Sequence, residues 1–271
     1  MARQPIEVAF ERSGNGSPLV LLHGIGHRWQ AWAPVLDALS AEHDVIAVDL
    51  PGFGLSPLLP EGRGYDMPSA VQACADIFAD MGLDRPHVAG NSLGGVIGLE
   101  LASRGLVSSA TALAPAGFWT PRDRAWALRV LKLIRLSGRA PETLRTAFIR
   151  NRLCRMAAGS LLYGHPSRMT EEIMLADLLS MVGAKAFDLV ADAGRGYVFS
   201  SPEPTVPVTV AWGTRDRILW PRQARRAAAL LPKARHVWLY QAGHVPMIDE
   251  PEQVASLILS TCAAAATDRA A

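Results

Sequence analysis

The sequence predicts an α/β protein: a mostly parallel eight-stranded sheet with helices on both faces and an inserted helical cap. Short apolar runs alternate with segments of helical periodicity, an order typical of parallel sheets. The run Pro18–Leu22 is apolar throughout, as expected for a strand that is buried on both faces. Residues 118–201 differ, because they show helical periodicity and no convincing buried strand.

Strands and helices alternate through the first part of the chain. Five segments are predicted as strands: Ile6–Phe10, Pro18–Leu22, Asp44–Val48, His87–Gly90 and Ser108–Leu113. Three segments are predicted as helices: Trp32–Leu39, Met67–Met81 and Val96–Arg104. In the second helix, helical spacing places Val71, Cys74 and Phe78 on one side.

The alternation resumes after the helical block. Two further strands are predicted at Val206–Gly213 and His236–Tyr240, and two further helices at Gln223–Leu230 and Pro251–Ser260. Residues 1–117 and 202–271 are therefore predicted to form one α/β core. Residues 118–201 are predicted to form a cap over the carboxyl ends of the strands, where ligands bind in sheets of this kind.

The composition narrows the class of protein. A chain of 271 residues with 49% hydrophobic and 19% charged residues is typical of one large globular domain. A net charge of +2 gives no reason to expect nucleic acid binding. No apolar run is long enough to span a membrane, and the N-terminus lacks the apolar segment of a signal peptide. The three cysteines are far apart and fit a reducing compartment without a metal site.

These observations predict a cytoplasmic protein, monomeric or homodimeric, with a small-molecule substrate. One stretch carries a concentration of positive charge: arginines between Arg122 and Arg155 alternate with apolar residues. This pattern predicts a solvated amphipathic helix face, with an anion or membrane contact as the alternative.

The segment Val88–Gly95 indicates the chemistry. It reads as a short apolar strand, then Gly-x-Ser-x-Gly, then a helix, which is the signature of a nucleophile elbow. Gly90 and Gly94 leave room for the tight turn, and Ser92 between them is predicted to be a nucleophile held in strained backbone. The motif also arises by chance in glycine-rich turns, so a base and an acid must follow in the right order.

His244 is predicted to be the base, because it follows a strand on a loop that lies on the same edge of the sheet as Ser92. A serine hydroxyl needs such a base to take its proton, and the base needs an acid to fix its tautomer. Asp216 lies between the two in chain order, directly after a buried strand, and is predicted to be that acid. Asp188 and Asp192 also lie in this interval, but within the helical block, where they are expected to be solvated.

The site also needs backbone N–H groups that point at the negative charge developing on the substrate oxygen. Leu93 follows the nucleophile at a helix start, where amides lack intrahelical partners. The loop His23-Gly24-Ile25-Gly26 follows a strand, and Ile25 is predicted to provide the second N–H. His23 is expected to support this loop through hydrogen bonds.

The motifs in this order resemble those of the α/β-hydrolase superfamily, in its serine hydrolase branch with a helical cap. The resemblance extends over nearly the whole chain outside the cap and includes the segment that begins at Asp49, which the resemblance marks as a loop-ordering residue. It implies a Ser-Asp-His triad, an acyl-enzyme intermediate and no metal or organic cofactor. Ser92, where related dehalogenases and epoxide hydrolases have aspartate, favours acyl transfer.

The leading function is hydrolysis of carboxylic esters of small to medium apolar acyl or aromatic compounds, as in esterases and lipases. Asn91 before the serine also resembles the elbow of meta-cleavage product hydrolases, which break carbon–carbon bonds. Those enzymes commonly have an aromatic residue where this chain has Val245, and they use a cap arginine to hold an acidic substrate. Lactone or thioester hydrolysis and a non-catalytic ligand-binding role are further alternatives.

The cap is expected to select the substrate. Trp119, Trp220 and Val245 are the predicted pocket residues, because they lie beside the cap boundary, the acid and the base. The cap arginines that could hold an acidic substrate are Arg145, Arg150, Arg152 and Arg155.

Overall fold

The structure, a computed structural model, describes residues 4–270 and the side chains of residues 4–266. Its centre is a sheet of seven strands in the order β1-β3-β2-β4-β5-β6-β7. All neighbouring strands run parallel except β1, which pairs antiparallel with β3. The strands are β1 Phe10–Ser13, β2 Ser17–Leu22, β3 His43–Val48, β4 His87–Asn91, β5 Ser109–Leu113, β6 Val208–Gly213 and β7 Arg235–Leu239.

The prediction of eight strands is corrected to seven within the described residues. The first strand also lies later than predicted, at Phe10–Ser13 instead of Ile6–Phe10. The reason is that Ile6 is buried in a small separate cluster with Leu59 and Ile77, and its N–H donates to Asp80. The segment around Ile6 therefore packs against α2 and adds no strand to the described sheet.

Helices cover both faces of the sheet. Alternate residues of a strand point to opposite faces, and β2 shows this clearly. Val20 and Leu22 belong to one apolar cluster, and Leu19 and Leu21 belong to another. The helices of the α/β part are α1 Ala33–Ser40, α2 Met67–Asp80, α3 Leu93–Ser103, α9 Arg222–Leu230, α10 Pro246–Asp249 and α11 Pro251–Ala270.

Burial on both faces explains why the strands are apolar without alternation. The cluster with Val20 and Leu22 includes residues of α2 and α3, such as Val71 and Leu99. The cluster on the opposite face includes residues of α1 and α11, such as Leu39. The sheet is thus the middle layer of three. Because β2, β4, β6 and β7 run parallel, their carboxyl ends lie at the same edge of the sheet.

Five helices lie between β5 and β6, and the described part of this interval contains no strand. We call residues 118–201 the helical insert. Its helices are α4 Pro121–Gly138, α5 Glu142–Arg150, α6 Arg152–Gly159, α7 Glu171–Gly183 and α8 Phe187–Ala193.

The start of α4 is fixed to the α/β part by a buried carboxylate. Asp123 forms a capping box with Thr120 and accepts hydrogen bonds from Arg222 and Arg226 of α9. Burial opposes ionisation of Asp123, but hydrogen bonds from Thr120 and Arg222 hold its pKa at about 2. Because Asp123 stays ionised, this end of the insert is held firmly against the sheet layer.

Candidate active site

Ser92 occupies the turn between β4 and α3 in strained backbone, with φ 55° and ψ −108°. Such a positive φ is unfavourable for a residue with a side chain. The flanking glycines make the turn possible, because a Cβ at Gly90 would overlap the carbonyl of Gly94, and one at Gly94 would overlap the carbonyl of Leu22. The motif therefore forms a strand-to-helix turn with the serine at its apex.

Hydrogen bonds on both sides hold the backbone of Ser92. Its N–H donates to the carbonyl of Leu113 at 2.9 Å, and its carbonyl accepts from Val96 and Ala116, both at 3.1 Å. The Ser92 residue itself is only 6% exposed, yet it lines a cavity. The strained turn is thus supported by the next strand and by the loop that follows that strand.

His244 and Asp216 form a buried hydrogen-bonded pair. His244 Nδ1 lies 2.8 Å from Asp216 Oδ2. The other carboxylate oxygen of Asp216 accepts from the N–H groups of Ile218 and Leu219, both at 2.8 Å. These donors orient the carboxylate toward the imidazole. The pairing fixes the tautomer that carries its proton on Nδ1 and leaves Nε2 able to accept a proton.

Asn91 connects the loop of His244 to the elbow. Its side-chain amide donates to the carbonyl of His244 at 2.9 Å and to that of Leu113 at 3.1 Å. Asn91 is buried and directly precedes Ser92. The elbow, His244 and Asp216 therefore lie in one connected network at the carboxyl edge of the sheet.

Asp249 is a second buried side chain that supports the loop of His244, the predicted base. Its carboxylate accepts from Gly243 at 2.7 Å, next to the base, and from Gly164 and His165 of the insert at 2.8 and 2.9 Å. His244 N–H donates to the carbonyl of Leu162 at 2.7 Å, also in the insert. Asp249 had no candidate role in the sequence, because it follows the base, and no motif marks a carboxylate that only accepts from backbone amides.

The predicted amide donors lie beside Ser92. Ile25, Leu93 and Ser92 line the same cavity. A Cβ at Gly24 would lie 3.3 Å from Cβ of Ser92, so the loop after β2 passes directly against the elbow. Within residues 4–270, no acceptor is found for the N–H of Ile25 or Leu93. Both groups are thus available to a ligand atom in the cavity.

His23 supports this loop as a neutral side chain. Its Nδ1 donates to the carbonyl of Gly24 at 2.7 Å, and its Nε2 accepts from the N–H of Leu50 at 2.9 Å. These two bonds require one protonated and one unprotonated nitrogen. Complete burial lowers the pKa of His23 to about 3.

We expect His23 to make the free energy of unfolding decrease as the pH is lowered. The unfolded chain binds a proton at this side chain below its ordinary pKa of 6.5, whereas the folded chain does so only near 3. The contribution of neutral His23 to the free energy of unfolding is therefore fully present above pH 6.5. It decreases as the pH falls and is smaller by about 2 kcal/mol at pH 5. Urea unfolding at pH 7 and pH 5 measures this loss.

His23→Gln should lose less stability over this interval than the wild type does. The matched control is His236→Gln, since His236 is exposed. An equal pH dependence in the wild type and His23→Gln would contradict the interpretation.

Asp49 orders the neighbouring loop, the role that the resemblance implies. Its two carboxylate oxygens accept from the N–H groups of Trp29 and Leu55, at 2.6 and 2.9 Å. The hydroxyl of Ser56 donates to its carbonyl at 2.6 Å. This loop forms part of the cavity wall through Leu50 and Phe53.

The cavity that Ser92 lines has a volume of about 100 Å³ and no charged residue in its wall. Its walls come from α2, α3, α4 and α8, with the loops after β2 and β3. Its larger polar side chains already have partners: Tyr65 accepts from Leu59, Tyr197 donates to Glu100, and Trp119 donates to the carbonyl of Tyr197. The Ser92 hydroxyl and the amides beside it are therefore the main polar groups offered to a ligand.

The structure places only one of the three predicted pocket residues in this wall, namely Trp119. Trp220 does not line the cavity, because its ring packs against Trp126 and under the guanidinium of Arg222. Val245 does not line it either, because it is buried in the apolar cluster on the α1 and α11 face.

None of the cap arginines considered for an acidic substrate lines the cavity. Arg145 donates to the carbonyl of Gly138 at 3.1 Å, and Arg155 donates to that of Met169 at 3.1 Å. Arg150 and Arg152 are exposed. These side chains stabilise the insert or face solvent.

A strand–elbow–helix turn in a parallel sheet, with a His–Asp pair beside it, defines the class to which the protein belongs. The chain is a member of the alpha/beta hydrolase family, whose profile it matches over residues 19–257. Among its relatives, the dihydrolipoyllysine-residue acetyltransferase component of the acetoin cleaving system of Pseudomonas putida is 30% identical over 93% of this chain and 65% of that protein. The chain thus spans about two thirds of the length of that relative.

Two further matches cover both partners almost completely. The pimeloyl-[acyl-carrier protein] methyl ester esterase of Aeromonas salmonicida is 29% identical over 93% of this chain and 98% of that protein. The crystal structure of the esterase RhEst1 from Rhodococcus sp. ECU1013 has a TM-score of 0.72 and 26% identity, covering 93% of each chain. The chain thus belongs to the alpha/beta hydrolases, and two of its relatives are esterases. Over the described helices, none is both long and apolar enough to cross a membrane.

Proposed function

We propose that the protein is a serine carboxylesterase that acts on esters with a slender, uncharged acyl chain. One observation carries the proposal: Ser92, at the apex of a strained elbow beside the His244–Asp216 pair, opens into a cavity without a charged wall residue. The esterases among its relatives add support.

In the proposed reaction, His244 Nε2 takes the proton of Ser92 while Oγ attacks the ester carbonyl carbon. The N–H groups of Ile25 and Leu93 stabilise the negative carbonyl oxygen. The C–O bond to the alcohol then breaks, and His244 returns the proton to the leaving alcohol. Water repeats the sequence on the acyl-enzyme, which releases the acid and restores Ser92. Asp216 holds the imidazole ring in place through the hydrogen bond to Nδ1.

The cavity suggests the substrate. Typical small-molecule pockets hold roughly 300–1,000 Å³, so a cavity of about 100 Å³ favours an unbranched chain over a ring system. Its apolar wall favours an acyl chain without charge, since a buried charge without a partner is costly. Under this proposal the helical insert, residues 118–201, acts as the cap that selects the chain through α4 and α8.

The same features disfavour carbon–carbon hydrolysis of ring-fission products. These substrates are acidic, and no described arginine or lysine lines the cavity. Lactone and thioester hydrolysis use the same acyl-enzyme chemistry, so a comparison of substrates has to separate them from ester hydrolysis.

The test is a series of p-nitrophenyl esters from acetate to palmitate, measured beside a ring-fission dienoate and a fluorophosphonate probe. We expect Ser92 to be labelled, kcat/KM to be highest for short to medium straight chains, and the dienoate to be turned over at least about a hundredfold more slowly. No labelling together with no ester turnover would indicate a non-catalytic member of the family. Faster turnover of the dienoate would establish the carbon–carbon reaction instead.

A further inference from the structure

The outer surface of α4 carries a second depression, an open groove of about 570 Å³. Three leucines form its apolar part: Leu128, Leu133 and Leu136. Leu133 and Leu136 are 57% and 61% exposed, so the groove offers apolar surface to solvent. We call this surface the α4 groove.

The remaining wall of the α4 groove is strongly basic. Arg124, Arg129, Lys132 and Arg195 line it, and no acidic residue does. Asp192, close by, pairs with Lys132 at 3.6 Å and with Arg195 at 3.1 Å. Within the described part of the chain, Arg124 and Arg129 have no acidic partner. Two guanidinium groups without an acidic partner therefore lie in the wall of the groove, beside exposed leucines.

The charge of the whole insert has the same sign. Residues 118–201 hold 13 of the 27 basic residues and 7 of the 25 acidic residues. The insert therefore carries a net charge of +6, whereas the rest of the chain carries −4. A basic surface on one segment of a nearly neutral protein attracts anions to that segment.

The α4 groove adjoins the cavity of Ser92. Leu128 lines both spaces. Gly194 lines the cavity, and Arg195, the next residue, lines the groove. One side chain of α4 and the turn after α8 thus separate the basic surface from the apolar interior.

We propose that the α4 groove binds the phosphate of an anionic monoacyl glycerophosphate whose ester bond is cleaved at Ser92. The inference rests on the proposed esterase activity and names its substrate class. Arginine pairs with phosphate through two parallel hydrogen bonds, which suits Arg124 and Arg129. The exposed leucines favour an amphiphilic lipid over a fully water-soluble phosphate compound. The glycerol passes Leu128, so that the ester reaches Ser92 and the acyl chain lies in the uncharged cavity.

The reaction is a hydrolysis that needs no further reactant. The bond between the acyl carbon and the glycerol oxygen breaks, and water supplies a hydroxyl to the acyl carbon and a proton to the glycerol oxygen. The products are a carboxylic acid and glycerol phosphate. The phosphate takes no part in bond breaking and serves only as the group that is recognised.

The experiment compares 1-octanoyl-glycerol 3-phosphate with 1-octanoylglycerol, both as monomers in solution, since the two differ only in the phosphate. We expect wild-type kcat/KM to be higher for the phosphate ester, and this preference to fall about tenfold in Arg124→Gln/Arg129→Gln. Arg122→Gln, exposed on the same helix but outside the groove, should keep the wild-type preference. Added NaCl should reduce the preference as well, because salt screens exposed charges.

An unchanged preference in Arg124→Gln/Arg129→Gln, or an equal loss in Arg122→Gln, would overturn the proposal. A third substrate, octanoyl-coenzyme A, distinguishes a soluble phosphate compound: if it is hydrolysed faster and depends on the same arginines, the lipid assignment is wrong. Failure of the esterase proposal is recognised separately, because p-nitrophenyl butyrate would then not be hydrolysed by the wild type.

Discussion

Replacing Ser92 by alanine is expected to lower kcat for ester hydrolysis by about 10⁴-fold or more. The substitution removes the attacking oxygen, and the remaining site can only orient substrate and stabilise charge. The strained backbone of the elbow does not depend on the hydroxyl, because its bonds to Leu113, Val96 and Ala116 all use backbone atoms. The variant should therefore fold normally, which thermal unfolding beside steady-state kinetics would show.

Ser103→Ala provides the matched control, since Ser103 is the last residue of the same helix and lies away from the cavity. It should retain wild-type activity and labelling by the fluorophosphonate. A reduction of only a few-fold in Ser92→Ala, with labelling retained, would show that another residue is the nucleophile.

Asp216→Asn is expected to lower kcat by about 10³–10⁴-fold while leaving KM nearly unchanged. The amide can still accept from Ile218 and Leu219 with its oxygen, and it then presents an NH₂ group to His244. A donor there favours the imidazole tautomer with its proton on Nε2, which cannot accept the proton of Ser92. Steady-state kinetics with p-nitrophenyl butyrate would measure the loss.

Asp188→Asn tests one of the other carboxylates that lie between Ser92 and His244 in the sequence. Asp188 pairs with Arg135 in the insert at 2.5 Å, and its side chain is 61% exposed. Its replacement should change kcat by less than about twofold. If Asp188→Asn were as impaired as Asp216→Asn, the effect would come from the insert and the assignment of the acid would fail.

The sequence was sufficient to predict most strands of the sheet and their approximate boundaries. Strands that are buried on both faces are apolar throughout, and segments with helical periodicity separate them along the chain. It failed at the first strand, since Phe10–Ser13 is a polar edge segment, whereas the apolar Ile6 packs on a helix. Apolar periodicity alone does not distinguish a residue that packs against a helix from one that belongs to a sheet.

At the candidate site, the sequence pointed to residues that belong to motifs. It did not point to residues whose side chains only accept hydrogen bonds from backbone amides. Asp216 and His244 were predicted from their positions after strands, and the structure places them 2.8 Å apart. Asp249 was missed because its partners are backbone amides, which no sequence motif marks. Trp220 was expected in the pocket from its position after the acid, but a tryptophan and an arginine hold it elsewhere.

The contacts of Leu162 and Asp249 have a consequence for protein engineering. The insert supplies the carbonyl that holds the N–H of His244, and Asp249 accepts from both the insert and the loop of the base. Exchanging the insert for that of a relative would thus remove part of the hydrogen-bonded support of His244, the proposed catalytic base, together with the proposed cap. A functional chimera would have to keep the segment Leu162–His165, and its crossover points would best lie on either side of that segment.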